Sequence, residues 1–144
     1  MIQYRFTIPG RPRGKARPRF TKDGRVYTDQ KTVDYEGLTK VIFRNHGGDL
    51  IPEGCFIKVR IVAHYKIPTS ATKADKAKMI AGIYPVKVKP DVDNIAKIVL
   101  DALNGEAWRD DAEVTELSVK KVYSTAGNSV EVEITGMDMR SQDG

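Results

Sequence analysis

Residues 94–103 place Ile95, Ile98, Val99, Ala102 and Leu103 at i, i+3, i+4, i+7 and i+8, an apolar stripe along one side of a helix. Such a helix needs a second layer to cover its stripe. Pro90 precedes it and Asn104-Gly105 follows it, so both ends are marked. The rest of the chain supplies strands. Ile2, Tyr4, Phe6 and Ile8 alternate with polar residues, and residues 56–65 alternate around Ile57, Val59 and Ile61. Residues 116–123 and 129–135 alternate too, and the turn around Gly127 predicts that they form a hairpin. Val33, Leu38, Val41 and Ile42 predict a helix over residues 30–45, stopped by His46-Gly47-Gly48. Ser70 or Thr72 caps a short helix to about residue 80. The expected fold class is α+β: one domain over residues 1–144, a mixed β-sheet packed against helices, with a frayed tail over 140–144.

Composition narrows the possible functions. The chain has 144 residues, enough for one core, and no apolar run of membrane-spanning length. Its start alternates like a strand and has no secretory pattern, so the expected compartment is the cytoplasm. Cys55 is the only cysteine, which excludes a disulfide framework and a cysteine-rich zinc site. Residues 1–31 hold nine Lys or Arg against Asp23 and Asp29, a local charge of +7 in a chain whose net charge is +5. Most of that charge lies in residues 9–29, which also carry three prolines and three glycines and predict an irregular basic loop. A polyanionic partner or a plain solvated loop fits this asymmetry.

The carboxylates carry the chemistry. Asp91 and Asp93 flank Val92 at the helix entrance, and they share a face only if Asp91 is still extended, with Asp93 as the N-cap. Such a pair resists joint ionisation without a cation and suits a hard one, Mg²⁺ or Mn²⁺. An ordinary cap beside a surface aspartate is the other reading. An EF-hand is excluded, because Ile95, Ala96 and Ala102 occupy its required positions. Trp108 leads into Asp110 and Asp111, and its bulk suggests a core anchor for that turn. After Asn104-Gly105 the chain returns either beside the helix or near its far end. Lys97 stands four residues from both Asp93 and Asp101, as an ion-pair partner or as a cation aimed at a phosphate. His46 and His64 read as a helix-end and a strand residue, not as ligands.

The string Lys-Pro-Asp-Val-Asp-Asn-Ile-Ala-Lys at 89–97, the Asp-Ala-Leu-Asn-Gly at 101–105 and the Trp-Arg-Asp-Asp-Ala-Glu-Val at 108–114 closely resemble the signature of the RusA family of Holliday junction resolvases. The resemblance implies that Asp91, Asp93 and Asp111 are catalytic, metal-binding aspartates, that Asp110 is a neighbouring acid, and that Lys97 is the catalytic-site lysine. It further implies a Mg²⁺-dependent homodimer, with Mn²⁺ as a substitute, that nicks opposing strands of four-way DNA junctions in recombination and repair. The chain departs from the best-known member in its Pro- and Arg-rich loop and in residues 68–84, which look inserted. Arg11, Arg13, Lys15, Arg17 and Arg19 alternate with Pro12, Gly14, Ala16 and Pro18, so an extended loop puts all five cations on one face along a DNA backbone. Phe20 and Tyr27 either stack on an unpaired base or pack. A nuclease for other branched or flapped DNA and a non-catalytic nucleic-acid-binding regulator are the competing readings. The dimer contact is expected at the helix carrying Met79 and Ile80 or at a free edge of the strand 56–65.

Overall fold

A computed structural model describes residues 1–16 and 19–138. Arg17, the Arg19 side chain and the tail expected to fray lie outside the described residues. The elements in chain order are β1 (Ile2–Pro9), β2 (Arg19–Phe20), β3 (Val26–Tyr27), α1 (Gln30–Asn45), β4 (Cys55–Lys66), α2 (Lys73–Ile80), α3 (Val92–Leu103), β5 (Val114–Ser124) and β6 (Ser129–Asp138).

The main sheet is mixed, in the order β1-β6-β4-β5. Here β6 runs antiparallel to both β1 and β4, while β4 and β5 are parallel. The expected hairpin of β5 and β6 does not form, because β4 lies between them. Burial explains the arrangement. Ile57, Val59, Ile61, Ala63 and Tyr65 of β4 are all buried, which suits a central strand, whereas β5 buries no residue fully and takes the edge. Asn128 accepts the Lys66 backbone N–H at 2.8 Å and carries the β5–β6 connection past the end of β4. With β4 interior, the free edges belong to β1 and β5, so the edge expected at residues 56–65 is not available.

One sheet face is covered and the other is open. The covered face carries Phe6 and Ile8 of β1, Val130, Val132 and Ile134 of β6 and the buried residues of β4, packed against Ile95, Ile98, Val99 and Leu103 of α3. The open face carries ion pairs, Arg5 to Glu133 at 2.9 Å and Lys58 to Glu116 at 3.2 Å. His64 pairs with Glu131 there, a strand residue as expected.

Helix α1 has the expected bounds but a different inner face. Tyr35 and Phe43 are buried with Thr32 and Thr39, while Val33, Leu38 and Val41 are exposed. The aromatics bury more area than the valines do, and Phe43 meets the edges of Tyr4 at 5.2 Å and Phe6 at 5.9 Å between ring centroids. Helix α2 is capped by Thr72, whose hydroxyl accepts the Asp75 N–H at 3.1 Å. No helix among the described residues is long and apolar enough to cross a membrane.

Candidate functional site

Helix α3 starts at Val92, so Asp91 is its N-cap, two residues before the cap that the sequence suggests. Asp91 is extended, with φ −71° and ψ 158°, and its side chain makes no capping hydrogen bond. Its two carboxylate oxygens instead take the Lys89 ammonium at 3.0 and 3.1 Å. Asp93 lies in the first helical turn, and both acids are exposed. They therefore stand at the positive end of the helix dipole, where negative charge is favoured.

The basic loop docks on this entrance. The Lys15 N–H donates to the Asn94 carbonyl at 3.0 Å. Gly14 sits so close that a Cβ there would lie 2.7 Å from Pro90 Cβ and 2.9 Å from Asn94 Cβ, so any side chain would lift the loop off the helix. Arg11 and Arg13 stay exposed. Burial pushes the phenols of Tyr35 and Tyr65 up, and the nearby charges of Arg13 and Arg11 respectively oppose the shift. A recess of about 330 Å³ opens at this loop, with Arg11, Arg13, Lys31 and Lys89 among its lining and Pro90 at its edge. Lys31 and Lys89 were not legible as members of this cluster, because residues 13 and 31 meet only through the fold.

Lys15 behaves differently from the arginines. Its ammonium turns inward, 2.5 Å from Glu36 of α1 and 3.2 Å from Asp101 of α3, so Lys15 does not share the single face of cations expected for this loop. Burial lowers its pKa, but hydrogen bonds to Glu36 and Asp101 and their charges outweigh this and raise it. The bridge is therefore fully present below the ordinary lysine value of 10.5 and is lost only as pH rises through the higher folded value. Lys97 also reaches Asp101, at 3.4 Å, while remaining 62% exposed. A pair so open contributes little to stability.

The second acidic group leaves from the far end of α3. Asn104 and Trp108 form an isolated bridge, and the Gly105 N–H donates to the Trp108 carbonyl at 2.7 Å. Gly105 has φ 81°, a left-handed conformation that favours glycine. Trp108 is completely buried, and its indole N–H donates to Asp111 Oδ1 at 2.7 Å, so it anchors the turn as the sequence suggested. Asp110 accepts the Ala112 N–H at 3.1 Å and caps the short 3₁₀ turn Asp111–Glu113. A twelve-residue helix rises about 18 Å, and it separates the points from which the two acidic groups depart. Among the described residues, no three His, Cys, Asp or Glu side chains gather closely enough to hold a metal ion. The chain offers a partial set instead: two exposed carboxylates beside an arginine-lined recess. Mg²⁺ is commonly held by one or two carboxylates, with water and substrate phosphates completing its shell, and this set suits that mode.

An α+β domain that joins exposed acids to a cationic loop has the equipment to act on a phosphate polymer, and comparison with known proteins gives the class. A family model described as Endodeoxyribonuclease RusA matches residues 9–135. The chain belongs to this family of endodeoxyribonucleases. The uncharacterised protein YqaN of Bacillus subtilis strain 168 is 31% identical over 125 residues, covering 83% of this chain and 87% of that protein.

Proposed function

We propose that this chain resolves four-way DNA junctions by paired hydrolytic nicks, assisted by a divalent cation, in DNA recombination and repair in the cytoplasm. The observation that carries the reading is the docking of the arginine-bearing loop on the helix entrance that holds Asp91 and Asp93. Arg11 and Arg13, with Lys31 and Lys89, would hold the DNA backbone beside those acids. Asp91 and Asp93 would hold Mg²⁺ or Mn²⁺, while Asp111 and Asp110, the further acids that the resemblance names, leave from the far end of α3 and would join such an ion only across the subunits of the proposed dimer. A bound ion of this kind lowers the pKa of an attacking water and neutralises charge on the leaving oxygen. Lys97, one turn after Asp93 on the exposed side of α3, would stabilise the charge that builds on the scissile phosphate.

Lys97→Ala is expected to slow cleavage by on the order of 10²-fold with unchanged thermal stability. A sharp loss of stability with normal cutting by the folded fraction would make Lys97 a structural partner of Asp101 only.

Two symmetric nicks need two sites related by a two-fold axis, so we propose a homodimer. The decisive experiment offers the protein a labelled four-way junction, a flap and a linear duplex, each with and without Mg²⁺, and measures its mass by sedimentation equilibrium. Cation-dependent paired nicks confined to the junction, and a mass of twice 16.1 kDa, are expected. Cutting of flaps as fast as junctions would indicate a general branch nuclease, and binding without cutting would indicate a regulator.

A further inference from the structure

We infer that the β2–β3 ribbon is a finger that stacks an unpaired DNA base, with Phe20 as the stacking residue. The two strands form a sheet of their own, Arg19 opposite Tyr27 and Phe20 opposite Val26. The tip is held by the Thr21 N–H to the Arg25 carbonyl at 2.8 Å, by the Arg25 N–H to the Thr21 hydroxyl at 3.0 Å and by the Gly24 N–H to the Thr21 carbonyl at 3.0 Å. Arg25 also pairs with Asp23 at 2.8 Å. A ribbon tied this way presents its side chains without support from the core, yet Phe20 is 70% exposed, Val26 60% and Tyr27 46%.

Size and charge decide what covers these side chains. Each aromatic offers only about 150–250 Å². Three apolar side chains therefore fall short of the roughly 800 Å² per partner of a stable protein interface. A nucleobase, by contrast, is covered by one ring. Arg19, Lys22 and Arg25 against Asp23 leave the ribbon with a charge of +2, and aromatic rings interleaved with cations form a platform for single-stranded nucleic acid. On its far side the ribbon leads from Tyr27 to Asp29, which lines the recess beside Arg11, Arg13 and Pro90, so a base held at Phe20 belongs to DNA that also meets the recess. At a junction's branch point the strands change partner and stacking is interrupted, so a base there is taken out of its pair more readily than one inside an intact duplex.

This inference rests on the nuclease reading, and the test separates the two. A four-way junction carrying 2-aminopurine at the branch point is bound without divalent cation, and fluorescence and affinity are compared with those for linear duplex. Wild-type protein is expected to change the fluorescence. Phe20→Ala should lose that change and weaken junction binding about tenfold relative to duplex, which is about 1.4 kcal/mol and within the range for one stacked base. Phe20→Trp should restore both, and the salt dependence should stay the same because no charge is altered. A Phe20→Ala variant with wild-type fluorescence and junction preference would overturn the finger. A variant that instead sediments at half the wild-type mass would assign the ribbon to a subunit contact and overturn it as well. Junction binding that depends on Phe20 without any cleavage would leave the finger standing and remove the nuclease reading.

Discussion

Asp91→Asn is expected to abolish cleavage, by about 10²–10³-fold or more, while the protein folds normally and binds junction DNA as tightly as before or more tightly. The scale is that of removing one preorganised electrostatic group from a reaction centre. Folding is spared for a local reason. The Asp91 carboxylate makes no capping hydrogen bond, and asparagine is as good an N-cap as aspartate. The lost pairing with Lys89 is open to solvent, with side-chain exposures of 82% and 53%, and so contributes little. Binding holds or improves because one fewer negative charge faces the phosphates. Single-turnover cleavage at saturating Mg²⁺, beside binding measured without metal, checks both halves. Asp111→Asn is expected to follow the same pattern, because asparagine keeps a carbonyl oxygen that can accept the Trp108 N–H. Wild-type turnover in either variant would remove that residue from the site.

Trp108→Ala is expected to cost about 3–5 kcal/mol, a large part of the roughly 5–15 kcal/mol that stabilises a domain of this kind. Trp108 is the largest fully buried side chain in the described residues, so its removal leaves a void in the core as well as an unpaired Asp111 oxygen. Trp108→Phe separates the two effects. It retains most of the apolar volume and removes only the donor, so stability should fall much less while cleavage falls by more than stability accounts for. Urea unfolding monitored at constant m-value measures the first effect, and cleavage by fully folded protein measures the second. An alanine variant as stable as wild type would contradict the anchoring role. A phenylalanine variant with full activity would show that Asp111 needs no orientation by the indole.

The strands of the main sheet and the three helices were legible in their order and approximate bounds, because each is written in a short window. The β2–β3 ribbon was not: it lies in residues expected to form an irregular loop, since two-residue strands leave no periodicity to read. The stripe from Ile95 to Leu103 and the stop at Asn104-Gly105 define α3 by themselves, and the alternation around Ile57, Val59 and Ile61 defines β4. Asp91 is extended, the condition set for a shared face with Asp93, but the helix starts at Val92 and takes Asp91 as its N-cap in place of the expected Asp93. Trp108 was expected to anchor the turn, and its bulk and its place three residues before Asp111 were enough to suggest it.

What failed was partnership. Gly127 signals that the chain turns, but whether β5 and β6 meet is decided by β4, more than sixty residues earlier in the chain, which takes the place between them. In α1 the valines and leucine drew the helix correctly and faced it wrongly, because Tyr35 and Phe43 outcompete them for the space beside Tyr4 and Phe6. Alternation along residues 11–19 promised one face of cations, yet Glu36 and Asp101, brought together by α1 and α3, draw Lys15 inward. The sequence alone therefore determined the α+β class, the helix entrance with its two carboxylates and the RusA signature, since periodicity, caps and short motifs act through neighbouring residues. Only the tertiary structure decided the strand order, the docking of the basic loop on Pro90 and Asn94 and the return of the Asp110-Asp111 turn at the far end of α3. Those outcomes depend on which distant surfaces bury the most area and satisfy the most charge when packed together.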